Sequence, residues 1–347
     1  MVKLIVHIGH GKTGSSSIQE TLLASRQALT DQGVAYLGLM LEHSQNTVRP
    51  AWQQRSGSDA FFAVDHDSAH ANDELFAVLQ EALSLLDAHG VTRAIWSNEW
   101  LAQRSRMVLP ALQRVAAQGH TIEIQCYIRR HDKWAISAYS QWGLKHKNYA
   151  GPIRRFADWL PIFGGRGMRF AGDLAPWDNV FGQDLRVFNF DAVGDVVEHF
   201  LMVNHLQGIV PIRDNVSPPS VEIAAQAVFN SRSEAPVRPF EYGRIAALLQ
   251  RETTRGDSLP TIDALFPDAK TLADILEERC DDIAALDQML QRSGQPRLDF
   301  SDPPRQTRHP DPWEMEQYIL RLLFGLADEV RDLRQQVVEL RRHADNN

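Results

Sequence analysis

Short apolar runs alternate with amphipathic segments through much of the chain, and this alternation limits the folds that the sequence can adopt. The apolar runs are rich in β-branched residues and predict buried strands at residues 3–8, 33–38, 91–97, 121–128 and 184–190. The segments between them predict helices. Because parallel strands are joined by such crossovers, the sequence predicts an α/β fold with a mainly parallel central sheet flanked by helices, and a helical C-terminal part.

Composition argues against several classes of protein. The net charge of −8 argues against general nucleic-acid binding. Cys126 and Cys280 are too few and too far apart to predict a disulfide framework. No apolar run approaches the roughly 20 residues of a membrane-spanning helix, and the first residues enter a strand pattern without the features of a signal peptide. We therefore expect a cytoplasmic protein without a membrane span.

Positive charge is concentrated in one stretch of this acidic chain. Residues 129–169 contain nine Lys and Arg but only two acids. Such a stretch is typical of a site for an anionic ligand, and it is also compatible with a solvated basic helix face.

The first predicted strand leads into the stretch HIGHGKTGSSSIQ, residues 7–19. Free backbone N–H groups of Thr13 to Ser17 at the positive end of the next helix, together with the serine hydroxyls, would bind a phosphate. Lys12 adds a mobile positive charge. An N-capped helix would explain one serine but would require neither the lysine nor the glycines. The stretch therefore predicts a phosphate-binding loop.

Gly11-Lys12-Thr13 is also similar to the end of the Walker A motif of ATP- and GTP-binding proteins. That motif requires a glycine five residues before Gly11, where this chain has Val6. The loop is too short to enclose a β- and γ-phosphate pair in the usual way. A nucleotide-binding, kinase-like protein is therefore the alternative interpretation.

Two stretches together resemble sulfotransferases that use 3′-phosphoadenosine 5′-phosphosulfate (PAPS). Residues 12–16, Lys-Thr-Gly-Ser-Ser, resemble the loop that holds the 5′-phosphosulfate in that family. Residues 126–137 resemble its strand-to-helix turn, in which an arginine at the strand exit and a serine eight residues later bind the 3′-phosphate. The resemblance implies a P-loop-like sulfotransferase fold with PAPS as co-substrate. It assigns nucleotide binding to Gly11, Lys12, Thr13, Gly14, Ser15, Ser16, Ser17, Arg129 and Ser137.

The resemblance covers residues 1–300 and leaves a C-terminal helix at residues 311–343 as an addition. The chain has no clear counterpart of the Arg-Lys-Gly motif found near the C-terminus of cytosolic small-molecule sulfotransferases. Its absence favours the bacterial or carbohydrate-type branch, in which a saccharide or glycan hydroxyl is the acceptor, while a small-molecule acceptor stays open. Residues 43–73, a predicted loop or lid, and residues 143–169 are expected to contact the acceptor.

Sulfuryl transfer requires in-line attack and stabilisation of the charge on the leaving oxygen. Lys12 is the candidate for stabilising the bridging oxygen. Glu99 follows a predicted strand at the sheet edge where ligands bind, and the resemblance favours a carboxylate as the general base. His10 in the loop is the second candidate, and His7 and His131 are further ones. A structural role for Glu99 and His10 is the competing interpretation.

No metal is expected. His66 and His70 lie four residues apart beside Asp65 and Asp67, but no distant third ligand is evident, and the segment is predicted to be loop. A further alternative is a non-catalytic nucleotide-binding assembly protein. Such a protein would need neither Lys12 nor Glu99.

Apolar residues follow a strict 4,3 spacing in the C-terminal helix. They are Ile319, Leu323, Leu326, Val330, Leu333, Val337 and Leu340. This pattern is typical of a two-stranded coiled coil, which would make the chain a homodimer, and equally of a helix docked on its own domain.

Overall fold

The computed structural model describes most of the chain with some gaps. The described ranges are residues 1–47, 49–54, 59, 61–62, 68–164, 168–213, 220–231, 233–237 and 265–302. Of the C-terminal segment, residues 311–313, 315, 316, 318, 319, 323, 326, 330 and 333–337 are described. Asp65, His66 and Asp67 lie outside the described residues, and so does Leu340.

A five-stranded parallel sheet forms the centre of the fold. Its strands are β1 (Lys3–His7), β2 (Val34–Tyr36), β3 (Arg93–Ser97), β4 (Thr121–Ile128) and β5 (Leu185–Asn189). The strand order is β2-β3-β1-β4-β5, and every neighbouring pair is parallel. The predicted strands and the α/β class with a parallel central sheet are confirmed.

Helices connect and follow the strands. They are α1 (Ser15–Ala24), α2 (Arg26–Thr30), α3 (Ser68–Ala88), α4 (Ser105–Ala117), α5 (His131–Ala138), α6 (Phe156–Trp159), α7 (Phe170–Phe181), α8 (Val196–Val203), α9 (Ser220–Asn230), α10 (Ala269–Glu278) and α11 (Cys280–Arg292). The first predicted helix is interrupted at Ser25, which leaves helical geometry with φ −103° and ψ 16°.

Apolar side chains from the strands and the first helix pack into one core. Ile5 on β1 and Ile95 on β3 contact a cluster that includes Ile18 and Leu22 of α1 and Phe200 of α8, and all of these are at most 2% exposed. Burying each such side chain stabilises the folded state by about 1.5–3 kcal/mol. This gain explains why α1 packs onto the sheet directly after the loop.

The predicted loop at residues 43–73 differs from the structure in its described parts. Residues from Ser68 onward, including His70, belong to α3 rather than to a loop. Asn46 Nδ2 donates to the carbonyl of Val78 at 2.8 Å, and Trp52 Nε1 donates to Glu74 Oε2 at 2.5 Å. Asn46 and Trp52 are therefore attached to α3, because their polar groups find partners there.

The order of the strands creates a crevice beside β1. From β1 the chain continues to β2 at one edge of the sheet, whereas from β4 it continues to β5 at the opposite edge. Connections that diverge from adjacent strands open a crevice at their carboxyl ends, where ligands bind in open α/β sheets. The loop after β1 and the turn after β4 border this crevice.

The described contacts divide the chain into two compact units. The first contains Met1–Trp134, Gly167–Val216 and Ile275–Asp302, and the second contains Ala135–Arg166, Ser217–Asp274 and Pro303–Asn347. In the second unit, the ring of Tyr139 packs edge-on against those of Phe156 and Trp159. The division into residues 1–300 and 311–343 stays a prediction. Among the described helices, none combines the length and the apolar character needed to cross a bilayer.

Candidate active site

The loop after β1 has an unusual backbone that ends in the first turn of α1. Lys12 has φ 72°, a left-handed conformation that is costly for a residue with a side chain. Gly14 is the N-cap of α1 with φ 79°, and a Cβ atom built on it would lie 2.4 Å from Val196 Cγ1. Only glycine fits this position. The chain therefore turns sharply into α1, close against α8.

The N-terminus of α1 has neither a side-chain cap nor an acidic residue in its first turn. Gly14 provides no side-chain cap, and the first turn of Ser15–Ala24 contains no acidic residue. The first backbone N–H groups of a helix have no partner within it, and they carry partial positive charge. Such an end binds anions.

The hydroxyl groups of the loop have different surroundings. Ser15 is 4% exposed, and its Oγ has no hydrogen-bond partner among the described residues. Ser16 is exposed and Ser17 is buried. Thr13 Oγ1 donates to the carbonyl of His10 at 2.5 Å, so that this hydroxyl closes the loop. Ser15 thus adds a buried, unsatisfied hydroxyl at the N-terminal end of α1.

The turn after β4 is fastened to this loop. Arg129 Nη1 lies 3.5 Å from the carbonyl oxygen of Lys12, and Trp134 Nε1 donates to the carbonyl of Gly11 at 2.8 Å. Lys12 and Gly11 are themselves half-buried. The structure therefore brings the predicted residues Lys12 and Arg129 together at the crevice between β1 and β4.

Arg129 has an aromatic and an acidic neighbour from the end of β5. Its guanidinium carbon lies 5.1 Å from the ring centroid of Phe190, and its Nε lies 3.9 Å from Asp191 Oδ1. Lys133 Nζ lies 3.5 Å from the same carboxylate oxygen. Burial lowers the pKa of Arg129, while Asp191 opposes that shift. The guanidinium stays charged at neutral pH because its ordinary pKa is above 12.

Arg130 has a structural environment. It is 1% exposed, and its Nη2 pairs with Asp132 Oδ2 at 2.6 Å. Its Nη1 donates to the carbonyls of Asp299 and Asp302. The charge of Arg130 is therefore paired and hydrogen-bonded inside the protein.

Ser137 lies in α5, within the second unit, and is half-buried. Its predicted contact with the 3′-phosphate stays a prediction.

Glu99 lies two residues after β3, as expected from its position at the carboxyl edge. It is half-buried, and its Oε2 accepts a hydrogen bond from Gln19 Nε2 on α1 at 2.9 Å. Gln19 belongs to α1, the helix that follows the Lys12 loop. The carboxylate of Glu99 is therefore linked through one side chain to the helix that follows Lys12.

The three histidines that the sequence offers as bases are buried. His7 and His131 are 0% exposed and His10 is 3% exposed. His7 Nδ1 lies 2.8 Å from Ser97 Oγ, and His131 Nε2 lies 2.9 Å from Asp282 Oδ2. Burial lowers the pKa of His7 and of His10 to about 4 each, so both rings are neutral near pH 7. Their burial limits contact with an acceptor.

His10 and Asp173 form a buried polar pair beneath the loop. Asp173 Oδ2 lies 3.9 Å from His10 Nδ1, and the ring of His10 packs against Phe170. Burial raises the pKa of Asp173 to about 6. Because the His10 ring is neutral, the contact is not an ion pair at neutral pH.

Sequence reasoning missed Gln19, Lys133, Phe190 and Asp191. Lys133 lies one helical turn beyond Arg129 within the recognised basic stretch, which was an available signal. Phe190 and Asp191 directly follow a predicted strand, but the order of the strands is needed to bring them to Arg129. Within the described residues, no group of three or more His, Cys, Asp and Glu side chains could hold a metal ion.

Comparisons with known proteins give few matches. No protein-family model matches the chain, and no curated protein matches it. Two solved structures that it is similar to are retinol dehydratase in complex with retinol and PAP, and retinol dehydratase in complex with androsterone and the inactive cofactor PAP. Each is 14% identical with a TM-score of 0.33; the matches cover 81% of this chain and 81% and 80% of those chains. These values are too low to show a shared fold, so the fold rests on the sheet itself.

Proposed function

We propose that this protein is a sulfotransferase that transfers a sulfuryl group from PAPS to an acceptor hydroxyl. One observation carries the proposal: the Lys12 loop and Arg129 meet at the crevice between β1 and β4, where Arg129 Nη1 lies 3.5 Å from the Lys12 carbonyl. A nucleotide with two separate phosphates needs two anion sites on neighbouring strand ends. The motifs that resemble the PAPS sulfotransferases supply one site each.

The residues present fit the two ends of such a nucleotide. The N-terminal end of α1, which has no side-chain cap, and the unsatisfied hydroxyl of Ser15 suit the 5′-phosphate, which requires several donors in a small space. Arg129 suits the 3′-phosphate because its guanidinium can donate two parallel hydrogen bonds. PAPS supplies an activated sulfuryl group when bound; the remaining chemistry falls to the side chains of this chain.

In the proposed transfer, the acceptor oxygen forms a bond to sulfur as the bond from sulfur to the bridging phosphate oxygen breaks. Lys12 stabilises the negative charge that develops on that leaving oxygen. Glu99 takes the acceptor proton and is held in place by Gln19. We prefer Glu99 to His10 as the base because the His10 ring is 3% exposed whereas Glu99 is half-buried.

The acceptor in this proposal presents a ring face beside its hydroxyl. Trp100 follows Glu99 directly and is 39% exposed, with the guanidinium of Arg104 5.8 Å from the centroid of its ring. An exposed aromatic ring next to the proposed base suits the flat apolar face of a sugar. We therefore propose a saccharide or glycan hydroxyl as the acceptor, with ring-bearing small molecules as the comparison in an acceptor screen.

We also propose that two copies pair through the C-terminal helix. Six of the seven heptad positions are described and helical, and none of the six is buried. Ile319, Leu323, Leu333 and Val337 are 46–55% exposed. In the sequence, Glu329 and Arg334 occupy g and e positions, where opposite charges favour parallel pairing. We expect Leu333→Glu to dissociate the dimer, so that light scattering measures half the molecular mass of the unaltered protein. Gln335→Glu, on the outer face of the helix, should leave that mass unchanged. A dimer that survives Leu333→Glu would contradict this pairing.

Titration calorimetry with 3′-phosphoadenosine 5′-phosphate, here called the bisphosphate, tests the proposed function. AMP and ATP·Mg serve as controls. We expect the bisphosphate to bind more tightly than either, because only it engages both anion sites. Loss of one charged hydrogen-bonding group costs about 1.5–3 kcal/mol, so Arg129→Ala should weaken bisphosphate binding by roughly 10- to 100-fold and leave AMP binding unchanged.

Arg186→Ala is the matched control variant. Like Arg129, Arg186 lies near a phenylalanine ring, with its guanidinium carbon 5.1 Å from the ring centroid, and it pairs with the carboxylate of Glu123. It lies near the amino end of β5, however, whereas the neighbours of Arg129 follow the carboxyl end. Its removal should not change nucleotide binding. Equal or tighter binding of ATP·Mg than of the bisphosphate would overturn the sulfotransferase proposal and favour the kinase-like alternative.

A further inference from the structure

Two cationic side chains share one carboxylate at the edge of the crevice. Lys133 Nζ lies 3.5 Å from Asp191 Oδ1, and Arg129 Nε lies 3.9 Å from the same oxygen. Lys133 belongs to the first turn of α5 and Arg129 to the turn before it. The two cations therefore come from one connection and converge on the end of β5.

Asp191 is itself held in a fixed position. Its Oδ2 accepts a hydrogen bond from the backbone N–H of Arg130 at 3.0 Å, and its own N–H donates to Asn189 Oδ1 at 3.1 Å. The side chain of Asp191 is 16% exposed, and those of Arg129 and Lys133 are 24% and 22% exposed. A fixed carboxylate of this kind orients both cations but neutralises only one of them. Lys133 Nζ also lies 3.9 Å from Asp302 Oδ2, but the side chain of Asp302 is 79% exposed, so this second pairing is screened by solvent and can be exchanged for a ligand.

The spacing of the cations matches the size of a phosphate monoester. Because both nitrogens contact one oxygen atom, they are at most about 7.4 Å apart. Hydrogen bonds of about 2.8 Å to two oxygens of one phosphate can connect nitrogens up to roughly 8 Å apart. Arg129 Nε is itself buried, so we expect a single phosphate to contact Arg129 through its terminal Nη atoms and Lys133 through Nζ, with Asp191 left in place.

We propose that Lys133 is a specificity-determining residue, which binds the same phosphate as Arg129 and so selects nucleotides with a 3′-phosphate over those without one. The inference rests on the proposed function, since it assigns a second cation to the 3′-phosphate of the same nucleotide. Lys133 contacts the ligand directly, and Asp191 is a positioning residue for both cations.

The test compares the bisphosphate with AMP by calorimetry at one ionic strength, using the full chain and three variants. Lys133→Met removes the charge and keeps the length of the side chain, whereas Lys133→Arg keeps the charge. Lys3→Met is the matched control, because Lys3 pairs with Glu123 at the amino end of β1, at 2.6 Å. AMP binding also reports whether each variant is folded.

We expect Lys133→Met to weaken bisphosphate binding by about tenfold and to leave AMP binding unchanged, because one charged contact to the 3′-phosphate is lost. Lys133→Arg should retain most of the selectivity, and Lys3→Met all of it. An equal loss of affinity for both nucleotides in Lys133→Met would overturn the inference, since it would indicate a general electrostatic effect, as would no loss at all.

Different results would contradict the proposed function and the role of Lys133. If the unaltered chain binds the bisphosphate no better than AMP, the proposed function fails, and the inference fails with it. If the unaltered chain selects the bisphosphate and Arg129→Ala abolishes that selectivity while Lys133→Met keeps it, only the role of Lys133 is wrong.

Discussion

Gly14 gives the sharpest test of how the turn before α1 packs against α8. Its φ of 79° is left-handed, which costs a residue with a side chain about 1–2 kcal/mol. An alanine Cβ would also lie 2.4 Å from Val196 Cγ1, and overpacking of this kind costs about 1–3 kcal/mol. Gly14→Ala should therefore lower the free energy of unfolding by about 2–5 kcal/mol.

Two matched variants separate the backbone cost from the steric cost. Gly208 has a similar φ of 66°, but a Cβ there would meet no atom within 4 Å. Gly208→Ala should thus lose only the backbone part, about 1–2 kcal/mol. In a Val196→Ala background, Gly14→Ala should cost no more than Gly208→Ala, because the clashing methyl group is gone.

Urea unfolding of the four proteins in this double-mutant cycle, together with Gly208→Ala, gives the free energies. A Gly14→Ala cost equal to that of Gly208→Ala would refute the close approach of α1 and α8. So would a cost that is unchanged when Val196 is truncated.

Three further predictions concern buried and catalytic carboxylates. Arg130→Met leaves Asp132, 0% exposed, as an unpaired buried charge and should cost about 3–5 kcal/mol in urea unfolding; adding Asp132→Leu should recover part of that loss, and a further loss would contradict the pairing. Burial raises the Asp173 pKa from 3.8 to about 6, so the stability it contributes is present below about pH 4 and is lost as the pH rises through 6. Asp173→Asn should therefore gain stability relative to the unaltered chain between pH 4 and pH 7, by at most roughly 3 kcal/mol, and a pH-independent difference would count against this burial effect. Glu99→Gln should lower kcat by about 100- to 10,000-fold in a sulfuryl-transfer assay and leave bisphosphate binding unchanged, whereas unchanged turnover would exclude Glu99 as the base.

The strands could be predicted because their information is local. Strands buried on both faces need continuous apolar runs, and Ile5 and Ile95 lie within such runs. The sharp turn into α1 was also accessible, since Lys12 and Gly14 occur in one short stretch, while phosphate binding by this turn stays a prediction. The positions of Asn46 and Trp52 were harder to predict, because these side chains bond to groups of α3 that lie 32 and 22 residues further along the chain.

The histidines show where sequence reasoning about the site ends. A histidine in a loop, such as His10, has the chemistry of a base, but only packing against Phe170 reveals that it is enclosed. In the same way, Asp191 cannot be related to Arg129 until β5 is known to lie beside β4. Spacing along the chain predicts residue types at strand ends, whereas strand order decides which of those ends meet.

The contacts of Arg130 have a consequence for how the protein is made. Its guanidinium group is closed in by the carbonyls of Asp299 and Asp302, which are 169 and 172 residues further along the chain. During synthesis, the turn that contains Arg129 and Arg130 therefore emerges from the ribosome long before the segment with Asp299 and Asp302, whose carbonyls bind Arg130. Arg130 therefore lacks these two carbonyl partners while 172 further residues are synthesised, about half of the 347-residue chain, and the turn beside it is completed only after residue 302 has emerged.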